Sequence, residues 1–359
     1  MNPPGTPASK GRGRYLFDLV HPANSLFFYH TIKTLRAEGA DVLVASRHKD
    51  VLIPLLDEFG IDHVPISRAG RGQHRLALEL LVRDARLLRL ARRFRPDVMT
   101  GFGGVAISHV GRLTGIPSVS FYDTEHAGLQ LGITLPFITE WHVPECWQGR
   151  TAPGRTFRFP GGKQFAYLHP DHFVPSPELA REAGWDPERD NFLLRVVAWN
   201  ANHDRGRSGF GPERLSTLVR LLSPLGKVHI SAEGELPAEL EPLRYRGSPG
   251  KLHHLLAHCR AYVGESITIA SEAVMLGVPV LLQIDKEYGY VADQEKAGLI
   301  DRIGPQDDER TAIERLLAKD PRQFRQQARD FIRARGDVNA YILATLKRVA
   351  EHGPSPGKE

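Results

Sequence analysis

Two clusters of side chains in this chain have types and spacing suited to a phosphorylated, hydroxyl-rich substrate. The first is Ser266-Ile267-Thr268 followed by Glu272, within GESITIASEAVMLGVPVLL. A strand ends and a helix begins there, so the first helical N–H groups lack partners and carry the positive end of the dipole. A phosphate fits such a place, and the hydroxyls of Ser266 and Thr268 add donors. Glu272 lies about one and a half turns deeper. From there a carboxylate can accept hydrogen bonds from ribose hydroxyls while a pyrophosphate sits at the helix start. The simpler alternatives are an N-cap for Ser266 and a surface or salt-bridged glutamate for Glu272. The segment does not carry the GxGxxG pattern of a dinucleotide binder.

The second cluster is FYDTEHAGLQ, which brings Asp123, Glu125 and His126 together at the end of a strand. A base that activates an acceptor hydroxyl needs hydrogen-bond reach and a suitable pKa, and the Glu125–His126 pair offers both residue types. The alternative is that Asp123 caps a helix and His126 packs. A third loop, WNANHD, carries Asn200, Asn202, His203 and Asp204. Asn side chains can hold phosphate or sugar hydroxyls, or simply build a turn. His254 and His258 share one helix face at i, i+4 spacing. Further ligands are not placed beside them, so a packed or surface pair is expected and no metal site.

The elements that position these residues alternate. YLFDLV, DVLVAS, DVMTGF and PSVSFYD read as strands, with helices over 25–39, 50–60, about 74–94 and from Val105. Strict alternation implies right-handed crossovers and a parallel sheet covered on both faces. The pattern breaks over about 145–190, which is rich in Pro, Gly and aromatics and reads as a domain connection. It then resumes with NFLLRVVAW, KVHISAEG, AYVGES and VPVLLQ as strands. SPGKLHHLLAHC reads as a short helix capped by Ser248. Residues 101–121 and 264–282 repeat one layout: glycine, small-residue turn, apolar helix, Gly-Ile/Val-Pro, strand. Aligning Gly115 with Gly277 places Val110 opposite Glu272.

A chain of 359 residues suits two domains. The boundaries read as 14–165 and 166–336, with a helix at 337–352 crossing back to the first domain. Polar, Pro- and Gly-rich ends at 1–13 and 353–359 are expected to be disordered. No apolar run approaches the roughly 20 residues that cross a bilayer. Two cysteines far apart exclude a disulfide framework, and the expected compartment is the cytoplasm. The net charge of +5 is concentrated in RDARLLRLARRFRPD, residues 83–97. A basic amphipathic helix of this kind either packs its leucines on a sheet or lies on the inner face of an anionic membrane. A nucleic-acid partner is not expected, because no reader motif accompanies the arginines.

PDVMTGFGGVAISHVGRLTGIPSVSF and GESITIASEAVMLGVPVLL, with EKAGL, resemble the GT-B superfamily. That superfamily includes nucleotide-sugar glycosyltransferases and the non-hydrolysing UDP-N-acetylglucosamine 2-epimerases. DLVHPANSLFF, FYDTEHAGLQ, AYLHPDHF, AWNANHD, SAEGELP and SPGKLHHLLA resemble more closely a family of bacterial and archaeal predicted glycosyltransferases of unassigned substrate. The resemblance implies an α/β GT-B fold, two Rossmann-like domains facing a central cleft. It implies that Ser266, Ile267 and Thr268 hold the donor pyrophosphate and Glu272 its ribose, with Lys286 and Glu287 beside the donor sugar. The first two segments resemble those of the N-acetylglucosaminyltransferase that makes the lipid-linked peptidoglycan precursor, where a histidine opens the first helix; Asn24 stands there in this chain, with His21 nearby. Glu125 and His203 fall near catalytic residues of the epimerases.

The expected activity is metal-independent transfer from a nucleotide-diphospho-sugar, UDP-linked, to a glycan, lipid-linked or small-molecule acceptor, with no cofactor. A sugar-nucleotide epimerase is the alternative, and a non-catalytic sugar-nucleotide sensor a third class.

Overall fold

A computed structural model describes residues 13–49, 51–70, 73–197 and 210–355. The chain divides into two compact units, one of residues 1–145, 149–159 and 338–359, the other of residues 146–148 and 160–337.

The first unit runs β1 (Arg14–Leu19), α1 (Pro22–Ala37), β2 (Asp41–His48), α2 (Leu52–Glu58), β3 (Val64–Arg68), α3 (Gln73–Phe94), β4 (Val98–Phe102), α4 (Val105–Thr114), β5 (Ser118–Phe121), α5 (Gly128–Thr134), β6 (Glu140–Pro144) and β7 (Thr156–Phe159). Its sheet has the order β3-β2-β1-β4-β5-β6-β7, and the pairings are parallel. The central strands are covered on both faces, and β4 and β5 are buried along their whole length, Thr100, Ser118 and Ser120 included. Phe17, Phe27, Phe28 and Phe121 meet edge to face or tilted beneath α1. The helix expected at 25–39 begins at Pro22, whose fixed φ suits a first turn.

The alternation continues past β5 into the segment that reads as a connection. β6 and β7 both join the sheet. Pro144, Trp141 and Phe157 hide them from a periodicity argument, because short parallel strands do not alternate in polarity.

The second unit runs α6 (Phe165–Leu168), α7 (Pro177–Glu182), β8 (Asp190–Val196), α8 (Pro212–Leu222), β9 (Gly226–Ala232), α9 (Leu252–Leu256), β10 (Ala261–Gly264), α10 (Ile267–Met275), β11 (Val280–Leu282), α11 (Gly289–Lys296), β12 (Ile300–Arg302), α12 (Glu309–Leu317) and α13 (Pro321–Arg333). The order is β12-β11-β10-β8-β9, again parallel. One core layer gathers Phe192, Leu194, Phe210, Leu215, Leu218 and Ile230. Ser248 stands before a short 3-10 turn that leads into α9, and its side chain makes no cap bond to that turn; the pyrrolidine of Pro249 starts the turn instead.

The last helix, α14 (Val338–His352), belongs to the first unit. Asn339 accepts a hydrogen bond from Thr31 at 2.7 Å, and Lys347 pairs with Glu38 at 2.7 Å. The repeated layout is real in three dimensions. Helices α4 and α10 each end at a glycine in the left-handed region, Gly115 at φ 77° and Gly277 at φ 71°, where a residue with a Cβ is strained.

Candidate functional site

In doubly wound sheets, ligands bind beyond the carboxyl ends of the strands where the strand order reverses. In the second unit that point lies between β8 and β10, and α10 starts there. Ser266 is the N-cap of α10, its side chain accepting from Ile269 N at 3.4 Å. Ser266, Ile267 and Thr268 are half-buried, so the helix mouth remains open to a ligand. The simple reading of Ser266 as a cap therefore holds, and it leaves the N–H groups of the first turn facing the same place.

Glu265, one residue earlier, turns its carboxylate toward the end of β8. It accepts from Val197 N at 2.9 Å and from Phe210 N, tying together the two ends that flank residues 198–209. Burial raises its pKa despite those bonds and the nearby Arg195.

Glu272 is 4% exposed, and the protein meets both of its oxygens. Tyr167 donates its hydroxyl to Oε1 at 2.5 Å, and His253 Nε2 lies 3.1 Å from Oε2. Burial alone would push this carboxyl up. The charge and hydrogen bond of His253, the Tyr167 hydroxyl and the charge of Lys163 outweigh it and hold the pKa below the ordinary carboxylate value. Tyr167 comes from AYLHPDHF and His253 from SPGKLHHLLA, two motifs to which sequence reasoning gave no role. Their convergence on one carboxylate is invisible in sequence, since Tyr167 stands 105 residues from Glu272. Val110, opposite Glu272 in the repeat, is fully buried.

The remaining sequence candidates spread out. Lys286 and Glu287 are exposed on the loop after β11, with Glu287 3.6 Å from Arg302. Asn200, Asn202 and His203 lie outside the described residues. His254 accepts from Ser176 N at 2.9 Å, and His258 stacks on Trp185 at 4.2 Å. Among the described residues no three His, Cys, Asp or Glu side chains gather as a metal site.

In the first unit, Asp123, Glu125 and His126 lie between β5 and α5, grading from buried through half-buried to exposed. Asp123 does not cap α5, whose N-cap is Ala127; it accepts from Thr124 at 3.1 Å. His21 and Asn24 form a reciprocal capping box at the start of α1. His21 Nδ1 accepts from Ala23 N at 3.2 Å, and Asn24 Oδ1 from Val20 N and His21 N. Asn24 is buried with its side-chain oxygen engaged in this cap, and His21 is exposed.

The basic segment 83–97 turns Arg83 and Leu87 inward and leaves Arg86, Arg89, Arg92, Arg93 and Arg95 exposed. Arg83 is 4% exposed and pairs with Asp18, Arg86 donates to Ile66 O, and Leu87 is fully buried. The exposed apolar side chains of α3 precede it: Leu76, Leu78, Leu81 and Val82.

Two parallel sheets of this order, each with a helix opening at its switch point, are a known arrangement. The chain has the GT-B fold. It is similar over 94% of its length to the whole of the spinosyn forosaminyltransferase SpnP, at 18% identity and a TM-score of 0.61. It is similar over 97% of its length to 99% of MnaA of S. aureus in a UDP co-structure, at 12% identity and a TM-score of 0.65. A UDP-GlcNAc 2-epimerase of Methanocaldococcus jannaschii, in complex with UDP-GlcNAc and UDP, matches over 89% of this chain and 99% of its own at 13% identity, TM-score 0.59. At these identities the likeness concerns the GT-B fold alone. By sequence, residues 15–152 match a family described as "Protein of unknown function (DUF354)", and no curated protein matches.

Proposed function

We propose that this GT-B chain is a glycosyltransferase that draws on a nucleotide-diphospho-sugar, UDP-linked, without a bound metal. One observation carries the reading: the open first turn of α10 at the switch point of the second unit, with a charged carboxylate held beneath it. The pyrophosphate takes the N–H groups around Ser266, Ile267 and Thr268, and the helix dipole stabilises the departing diphosphate. A carboxylate offers roughly four acceptor positions. Tyr167 and His253 occupy one on each oxygen of Glu272, and the others are left for ribose hydroxyls at the small exposed edge. Lys286 and Glu287 stand on the neighbouring loop for the sugar, and Asn200, Asn202 and His203 follow the adjacent strand in sequence.

The first unit takes the acceptor. Glu125 or His126 removes the acceptor proton, with Asp123 buried behind them and His21 exposed at the start of α1. The enzyme works in the cytoplasm, at the inner face of the membrane where its acceptor is lipid-linked.

The test is calorimetry with UDP. Thr268→Ala and Glu272→Gln should each weaken binding about tenfold, the loss of roughly one charge-assisted or phosphate hydrogen bond at about 1.4 kcal/mol. Glu272→Gln keeps the shape of the side chain, so a folded variant with wild-type affinity would remove the ribose role.

A further inference from the structure

The helices of the first unit form two layers. Right-handed crossovers place α1 and α2 on one face of the sheet and α3, α4 and α5 on the other. The packing agrees: α1 touches α2 and α14, while α4 touches both α3 and α5. His109 of α4 ties the second layer together, with Nδ1 2.7 Å from Asp84 of α3 and Nε2 2.9 Å from Ile133 O of α5.

The outer surfaces of the two layers differ. Helices α1, α2 and α14 expose no Leu, Ile, Val, Met or Phe among the described residues. On α3, Leu78, Leu81 and Val82 are 63%, 67% and 39% exposed, and Ala85 is exposed with them. Their spacing is i, i+3, i+4, i+7, which makes one apolar stripe along a helix. This stripe faces solvent, because a separate set, Arg83, Leu87 and Ala91, is buried on the sheet side. Leu129 of α5, 82% exposed, and Leu113 of α4 add to the same layer, as does Phe137, whose ring meets His109. Single exposed apolar residues are ordinary. A second apolar stripe on a helix that already has a buried face marks an interaction surface.

The charges select the partner. These three helices contain two acids, Glu79 and Asp84, and both are engaged, with Arg47 and with His109. The exposed charges are cations, Arg75, Arg86, Arg89, Arg92 and Arg93 on α3 and Arg112 on α4. Arg89, Arg92 and Arg93 continue the line of the apolar stripe toward the end of α3. A second copy of this chain would set two cationic faces against each other, and a nucleic acid has no use for the leucines. Apolar side chains beside arginines match an anionic bilayer, whose acyl chains take the former and whose phosphates take the latter.

We infer that the outer surface of α3, α4 and α5 docks on an anionic lipid bilayer. Leu78, Leu81, Val82 and Leu129 enter the acyl boundary, and Arg89, Arg92 and Arg93 lie against the phosphates. The basic segment 83–97 thus supplies cations, while the apolar part of the contact comes mainly from residues outside it. The inference deepens the transferase reading and rests on it only for the use made of the contact. Leu129 follows His126 by three residues, so the docked face adjoins the loop proposed to receive a lipid-linked acceptor.

Full-length protein is sedimented with vesicles of phosphatidylcholine containing phosphatidylglycerol, and with vesicles of phosphatidylcholine alone. Binding to the anionic vesicles should be at least about tenfold tighter, since each arginine near an anionic surface contributes about fivefold. Leu78→Ser with Leu81→Ser removes apolar area at unchanged charge and should weaken that binding about tenfold or more. Arg89→Gln with Arg92→Gln should weaken it by a similar factor. Val174→Ser, at a position of the second unit that is 78% exposed, should leave it unchanged. All these positions are exposed, so melting temperatures should stay at the wild-type value. Leu113→Ser, on another helix, repeats the test if the α3 pair melts early. No sedimentation with anionic vesicles, or equal sedimentation with both kinds, overturns the assignment. So does binding that falls with the glutamines and ignores the serines, which marks electrostatic adsorption alone. A dimer that the serine variants turn into a monomer, without vesicle binding, gives the face to a second copy instead. UDP is titrated in parallel by calorimetry. Absent vesicle binding with UDP binding intact removes this inference alone. Vesicle binding through this face in a protein that ignores nucleotides removes the transferase reading and leaves the surface.

Discussion

Burying a lone carboxylate costs several kcal/mol even after the protein relaxes, and Glu272 is nearly closed off from water. It is tolerated because a phenol and an imidazole are delivered to it from two other helices, α6 and α9. Tyr167→Phe removes one hydrogen bond to a charged acceptor, a loss of about 1.5–3 kcal/mol. Urea unfolding should show about 2 kcal/mol less stability with an unchanged slope. A variant as stable as wild type would mean that water replaces the phenol and that Glu272 is more accessible than its burial suggests. The sequence marks Glu272 as out of place and pairs it with Val110 in the repeat. It does not show the partners, because side chains that converge from α6 and α9, far from Glu272 in sequence, leave no local periodic trace.

The elements were legible wherever hydrophobic periodicity was strong. The strand before each helix, the glycine stops at Gly115 and Gly277 and the parallel order follow from alternation and short connections. β6 and β7 did not, and neither did the means by which α14 is attached. That attachment runs through Glu140 on β6, a residue with no solvent exposure. Arg348 of α14 donates to both of its oxygens at 3.1 and 2.6 Å, and Ser355 N adds a bond at 2.8 Å. His142 stands 3.0 Å away and bonds Tyr341 of α14 through its other nitrogen. Burial pushes the His142 pKa down, so it serves as a neutral hydrogen-bond partner and Arg348 is the counter-ion. Burial would raise the Glu140 carboxyl, but His142, Arg348 and Ser355 bring it down to about 2 from 4.5. A depressed carboxylate contributes stability that is complete above its unfolded pKa and is lost as pH falls through the folded value. The latch should therefore hold at neutral pH and weaken between about pH 4.5 and 2. Breaking a buried pair costs about 3–5 kcal/mol. Arg348 is a third exposed, so about 2–3 kcal/mol is expected for Arg348→Ala. Hydrogen exchange should quicken across Val338–His352 in that variant at pH 7. Unchanged protection of α14 would show that its apolar face, Ile342, Leu346 and Val349, holds it without the ion pair.

At the scale of the whole molecule, two parallel sheets with one open helix start do not by themselves choose a reaction. Transfer and epimerisation both break the bond between sugar and diphosphate, and both kinds of enzyme are found among the structural neighbours. They differ in what restores the broken bond. An epimerase eliminates the nucleotide and adds it back to the same sugar, so it needs no second substrate. A transferase holds the donor until an acceptor hydroxyl is presented to the anomeric carbon, because positioning supplies most of its rate. The protein is incubated with UDP-N-acetylglucosamine alone and followed by proton NMR. A thermal shift is run beside it: at about 100 times Kd a bound donor adds about 2.7 kcal/mol of stability, which a melting curve registers. The expected outcome is a raised melting temperature with the anomeric signals unchanged over hours. A second set of anomeric signals, growing without any acceptor, would replace the transferase reading with epimerisation. If the melting temperature rises only with another nucleoside diphosphate, the same incubation is repeated with its sugar conjugate. The choice of base then lies with the groups around α10, and the comparison between chemistry with and without an acceptor stays the same.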